Sequence, residues 1–149
     1  MKLSSALNVN QSIRIRSFTL GGQNFRVRVP LASEMEEISR LVDIVNSDAK
    51  FEEMSKPLRE INDQEKINIT DDDVLVDGKS IKELAKLTVQ TEQRILQMIR
   101  LLVPAQDGFD MNEISYEDIN AEFPFAVQLE IMRKIAEVIS PGYEETRKN

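Results

Sequence analysis

The sequence predicts an α+β fold, a mostly α-helical body of about four or five helices with an N-terminal β-hairpin. Three observations carry this expectation. Apolar and polar residues alternate on both sides of Gly21-Gly22, apolar residues recur at helical spacing after Leu31, and further Gly and Pro residues cut that part into helix-sized segments. Composition agrees: 41% of residues are hydrophobic but only 5% aromatic, with no Trp, so the core must be Leu, Ile, Val and Met, which suits helix packing. A chain of 149 residues has the length of a single domain. We expect that domain over residues 1–142, made of a basic arm and hairpin (1–30) and a helical body (31–142), followed by a mobile tail (143–149) with nothing to bury.

The hairpin comes first. Ile13, Ile15 and Ser17 alternate with Arg14, Arg16 and Phe18, and Phe25, Val27 and Val29 alternate with Asn24, Arg26 and Arg28. A two-residue Gly21-Gly22 loop pairs Arg16 with Val27 and mixes the faces. A three-residue loop pairs Ile15 with Val27 or Val29 and keeps them pure, so it is the expected one. That register gathers Arg14, Arg16, Arg26 and Arg28 on one face, where like charges repel unless an acidic surface covers them.

Helical signals follow. Ser33 with Glu36 reads as a capping box, Glu34, Glu36 and Glu37 suit the positive end of a helix, and Met35, Ile38, Val42 and Val45 form one stripe. Phe51, Met54, Leu58 and Ile61 form a second stripe, out of phase with the first across Asn46-Ser47-Asp48, hence a separate helix that Pro57 should kink or shorten. Residues 62–80 leave two readings open. Thr70 before Asp71-Asp72-Asp73 resembles a helix start, while Val74-Leu75-Val76 before Asp77-Gly78 resembles a strand entering a turn.

Ser80 and Glu83 form another capping box, opening the longest helix with Ile81, Leu84, Thr88, Thr91, Ile95, Met98 and Leu102 on one face until Pro104 ends it. A loop through Gln106-Asp107-Gly108 leads to a short helix at Ser115-Tyr116-Glu117-Asp118. Pro124 then occupies the first turn of a last helix, Phe125 to Ile139, with Glu130 and Lys134 paired, stopped by Ser140-Pro141-Gly142.

Charge divides the chain unevenly. Residues 1–30 hold Lys2, Arg14, Arg16, Arg26 and Arg28 and no acid, a charge of +5, whereas the other 119 residues set 14 bases against 26 acids, a charge of −12. Such a split governs association more than chemistry. The arginine face is expected either to dock on acids of the first helix, such as Glu36, Glu37 or Asp43, or to meet the acidic body of a neighbouring copy head to tail. Nucleic acid is a poor partner for the same reason: a −12 body opposes a polyanion, and only Phe18 and Phe25 accompany the arginines.

The motifs exclude more chemistry than they suggest. Having no His and no Cys removes histidine- and cysteine-ligated zinc, histidine general bases and thiolate nucleophiles. Gly78-Lys79-Ser80 resembles the end of a phosphate loop, but Asp73 stands where that loop needs glycine, so a turn with an N-cap is expected. Asp71 to Asp73 lack the rest of a calcium loop. No catalytic, cofactor-binding or metal residue is assigned. No stretch approaches the ~20 apolar residues of a membrane span, and MKLSSALNVNQS lacks a signal-peptide core, so a cytoplasmic protein is expected.

The order of a small basic hairpin (FTLGGQNFRVRVPLASEMEEISRLV), a capped helical body, and ISYEDINAEFPFAVQLEIMRKIAEVISPG resembles tail assembly chaperones of long-tailed bacteriophages. The best match is Glu122-Phe123-Pro124-Phe125 leading into an amphipathic helix that ends at Ser140-Pro141. The resemblance implies a non-enzymatic protein of the host cytoplasm. It would bind the tape-measure protein and keep it soluble until the tail tube polymerises, with further copies of itself and the tail tube protein as other partners, and be absent from the finished virion. It also implies a frameshifted longer product, and codons for Arg147-Lys148-Asn149 include the slippery run A AAA AAC. The client-binding surface expected here is the pair of stripes, Met35, Ile38, Val42 and Val45 with Phe51, Met54 and Leu58, where adaptable Met side chains suit varied helices. Two other classes remain open, a virion connector or tail-completion protein and a nucleic-acid-binding regulator.

Overall fold

A computed structural model describes residues 2–8, 11–61 and 66–140. The tail expected to be mobile, the stop at Pro141-Gly142 and Arg147-Lys148-Asn149 lie outside the described residues. In chain order the elements are α1 (Leu3–Ala6), β1 (Ile15–Leu20), β2 (Gln23–Arg28), α2 (Ala32–Asp43), α3 (Asp48–Arg59) and β3 (Ile67–Ile69). Then come β4 (Val74–Val76), β5 (Lys79–Ser80), α4 (Ile81–Ile99), α5 (Tyr116–Glu122) and α6 (Phe125–Ile139). The α+β expectation holds, with an antiparallel hairpin ahead of a mainly helical body. Contacts divide the chain into two compact units, Met1–Ile38 with Ile95–Asn149, and Ser39–Arg94.

In the first unit the hairpin register corrects the sequence expectation. The loop has two residues, Gly21 and Gly22, at φ 58° and 77°, and the pairs are Ile15 with Arg28, Arg16 with Val27, and Phe18 with Phe25. Two positive φ angles give a turn whose twist matches the strands, and glycine adopts them without a steric cost. The register aligns Phe18 and Phe25, whose rings stack with centroids 5.2 Å apart. The apolar face is therefore Phe18, Leu20, Phe25 and Val27 in place of the Ile13 and Ile15 series, and Ile13 is left exposed. The four arginines consequently do not share a face: Arg16 lies on the Phe18 side of the ribbon, opposite Arg26 and Arg28.

Val27 is fully buried because the chain after α4 adds a third line to the hairpin. Arg28 N–H donates to the Leu101 carbonyl, and Val103 N–H donates to the Arg26 carbonyl, both at 2.8 Å. This pairing ends α4 at Ile99, before Leu102 and well before Pro104, because the Leu101 carbonyl and the Val103 N–H bond to β2 in place of the next helical turn. Helix α6 covers the hairpin, and Ile131 and Ile135 join Phe18, Val27, Ile95, Met98, Ile99, Leu101 and Ile119 in one core. The bounds expected for α6 hold, with Pro124 as its N-cap at φ −58°. The expected Glu130–Lys134 pair is replaced by Glu137, which takes Arg133 at 2.7 Å and Lys134 at 3.9 Å.

Helix α2 also starts differently. The Ser33–Glu36 box gives way to a start at Leu31, whose N–H donates to Glu34 Oε1 at 3.1 Å while its carbonyl accepts from Met35 N–H. Glu34 is free to take this role because Arg14 and Arg28 hold its carboxylate, at 3.0 and 2.7 Å.

In the second unit the strand reading of residues 67–80 prevails. Strands β3, β4 and β5 form an antiparallel sheet, and Asp77 and Gly78, at φ 54° and 81°, make the two-residue turn between Val76 and Lys79. Asp73 ties the sheet to α4. Its carboxylate accepts from Val74 N–H at 2.7 Å, from Lys82 N–H at 2.9 Å and from the Ser80 hydroxyl, whose oxygen in turn accepts from Glu83 N–H at 3.1 Å. Gly78-Lys79-Ser80 is thus a turn and an N-cap, as expected. The Ser80 bond, foremost, and the two backbone donors hold the Asp73 carboxyl below the usual Asp range.

Asp73→Ala should therefore cost about 1.5 kcal/mol, the low end of the range for hydrogen bonds to charged groups because water screens this partly exposed carboxylate, seen as a lower urea midpoint. The stability Asp73 adds is present above the unfolded Asp pKa and is lost as pH falls through its lowered folded value, so wild type and variant should converge in acid.

Among the described residues of this unit, Val42, Val74, Ile81, Ala85 and Ser55 are buried. On the part of α4 that belongs to this unit, residues 81–94, the buried positions are Ile81 and Ala85, while Leu84, expected on the buried face, is exposed. Lys50 on α3 reaches Glu92 on α4 at 3.2 Å. Pro57 falls in the last turn of α3, which ends two residues later at Arg59.

Candidate functional site

Between the end of α4 and the start of α6 the first unit leaves an open apolar groove of about 550 Å³. Its inner surface is Ile99 and Ile119, both buried, with Leu102, Met111 and Ile114 beside them. Phe109 and Phe123 also line it and remain 52% and 36% exposed. Large aromatic side chains left half in water next to an apolar space are the kind of surface a partner covers.

Local sequence builds this wall. Gly108 turns the chain at φ 84°, and Asp110 Oδ1 accepts from Asn112 N–H at 2.9 Å, starting a single 3₁₀ turn at Met111–Glu113. Arg100 Nη2 donates to the Ile114 carbonyl at 2.7 Å, tying the loop back to the helix end. Ser115 and Asp118 then form a reciprocal capping box: Ser115 Oγ accepts from Asp118 N–H, and Asp118 Oδ2 accepts from Ser115 N–H. Inside α6, buried Gln128 accepts from the Tyr116 hydroxyl and donates to Asn120 Oδ1 and to the Phe123 carbonyl. That last bond holds the backbone of the Phe123 wall.

The groove is acidic at its edges. Residues 105–123 include Asp107, Asp110, Glu113, Glu117, Asp118 and Glu122 and no Lys or Arg, and Asp118 and Glu122 are lining residues themselves. An apolar space with the carboxylates of Asp118 and Glu122 in its lining favours apolar side chains accompanied by positive charge. Among the described residues no cluster of acids is arranged to hold a metal ion, and none of the helices there is long and apolar enough to cross a membrane.

The residues singled out in the sequence lie elsewhere. Arg14 and Arg28 meet the first body helix, at Glu34 in place of Glu36, Glu37 or Asp43, and Arg14 Nε also donates to the Val29 carbonyl at 3.1 Å. Arg16 and Arg26 are exposed. Of the two stripes, Val42 is buried, whereas Met35, Ile38, Val45, Phe51, Met54 and Leu58 are half-buried. None of these residues lines the groove.

The Leu31 N–H, first, and then Arg28 and Arg14 hold the Glu34 carboxyl below the usual Glu range. Its contribution to stability is present above the unfolded Glu pKa and lost as pH falls through the lowered folded value. Because these side chains are about a third exposed, Glu34→Gln should cost less than about 1 kcal/mol. That loss should shrink in high salt and in acid, as thermal melts at several pH values would record.

Against protein-family models, curated proteins and solved structures alike, the chain finds no match.

Proposed function

We propose that this protein is a non-enzymatic tail assembly chaperone of the long-tailed phage kind, acting in the host cytoplasm, and that its groove holds apolar, helix-forming segments of the tape-measure protein. The observation that carries the reading is the open groove with half-exposed Phe109 and Phe123. Six of its ten lining residues, Ile114, Asp118, Ile119, Ala121, Glu122 and Phe123, fall inside the segment that resembles that family. A long client that must wait for a tube to form around it exposes apolar helix faces, and a groove of this kind covers them in the helix-in-groove manner. The acidic edge selects segments whose apolar stripe is flanked by Lys or Arg.

Co-expression tests this. A long, helix-rich tape-measure protein should be soluble with the wild-type chain and insoluble with Phe109→Asp/Phe123→Asp, although that variant keeps its circular dichroism spectrum. A client equally insoluble with and without wild type would refute the chaperone reading, and stoichiometric protein in purified particles would point to a virion connector.

A further inference from the structure

The chemistry that suits the groove, apolar side chains beside a positive charge, occurs in the chain itself. Residues 2–8 read Lys-Leu-Ser-Ser-Ala-Leu-Asn, and Leu3 and Leu7, four residues apart around α1, fall on one side of that turn. They are 73% and 63% exposed, and α1 has no buried residue, so within its own molecule the segment leaves both leucines uncovered. Lys2 adjoins them, and the first thirty residues contain no acid. The groove has the opposite character, with six acids and no base along residues 105–123.

We propose that residues 2–8 of one copy dock in the groove of a second copy, with Leu3 and Leu7 filling the apolar space and Lys2 meeting the carboxylates of Asp118 and Glu122. This rests on the groove being a docking surface, as proposed above, and adds what occupies it when no client is present. A space of about 550 Å³ is within the range that concave binding sites use. Because the docking segment and the groove are different surfaces of each copy, the contact is heterologous and links copies head to tail into a ring or an open chain. A client that fills the groove displaces the segment, so loading a client and self-association exclude each other.

Sedimentation of the full chain tests this. Wild type should associate at low salt and dissociate as salt rises. Leu3→Asp/Leu7→Asp, which spoils only the segment, and Phe109→Asp/Phe123→Asp, which spoils only the groove, should each associate at least roughly tenfold more weakly. Mixed in equal amounts they should form a dimer and nothing larger, because one intact segment and one intact groove remain. Glu122→Lys should weaken association and Lys2→Glu in the same chain should restore it; this exposed pair gives the same readout if the Phe variant loses its fold.

A wild-type chain that stays monomeric at the highest concentration the ultracentrifuge reads, a leucine variant that associates like wild type, or a mixture that remains monomeric would each overturn the proposal. The client reading fails separately. Leu3→Asp/Leu7→Asp leaves the groove intact and should still keep the client soluble, whereas wild type that self-associates through the segment yet never solubilises the client would remove the chaperone function and leave this contact standing.

Discussion

Replacing Gln128 by Ala should lower the stability of the first unit by about 3 kcal/mol, through the lost hydrogen bonds together with the cavity left in a packed interior. Gln128 is fully buried, and its amide makes bonds of 2.8 Å with the Tyr116 hydroxyl, 3.1 Å with Asn120 and 2.8 Å with the Phe123 carbonyl. One side chain thus joins α5, the Phe123 turn and α6, and truncating it takes the partner from each. In a chain of this size the loss corresponds to roughly 10 °C in melting temperature. Glu130→Ala, at an exposed position of the same helix, should leave the melt within about 0.5 kcal/mol of wild type. Equal melts for the two variants would mean that the Gln128 bonds do not hold the turn.

Val42→Asp should unfold the second unit. Val42 is 4% exposed, and an isolated carboxylate at such a site costs several kcal/mol even when it protonates to avoid ionisation. A domain has only about 5–15 kcal/mol to lose. Met54→Asp, at a half-buried position on α3, leaves the new carboxylate a route to water and should cost less. The sequence placed Val42 and Met54 together on a client-binding surface, and the difference in burial separates them. Hydrogen exchange of the two variants would read it directly, with protection of Ser39–Arg94 lost in Val42→Asp and largely kept in Met54→Asp.

What could be read in the sequence was what local chemistry decides. Pro124 and the apolar spacing after it mark α6 with the bounds observed, and Ser115 and Asp118 mark the start of α5. Asp77-Gly78 was one of two competing signals, and it prevailed because both residues adopt the positive φ of a tight turn and place Val76 opposite Lys79.

The misses are long-range effects. The hairpin register turns on Phe18 meeting Phe25 across the strands, a pairing that the Ile13 and Ile15 alternation concealed. Helix α4 ends early because Leu101 to Val103 pair with β2, more than seventy residues away in sequence, which no periodicity within the helix reveals. The groove escaped for a related reason. Phe109 and Met111 sit in a loop without helical or strand period, and the signal that could have marked them was the run of six acids without a base around two exposed-looking apolar residues. The arginines were legible as a charge asymmetry, but only the fold shows Arg14 and Arg28 sharing Glu34.

Hydrogen exchange on a purified complex of this protein with a soluble fragment of the proposed tape-measure client tests the groove most directly. If the groove is the binding site, client binding should slow exchange in residues 109–123, around Phe109, Met111, Ile119 and Phe123, with little change along residues 35–58. Protection confined to residues 35–58, with 109–123 exchanging as in the free protein, would rule out the groove and return the client to the stripes of α2 and α3.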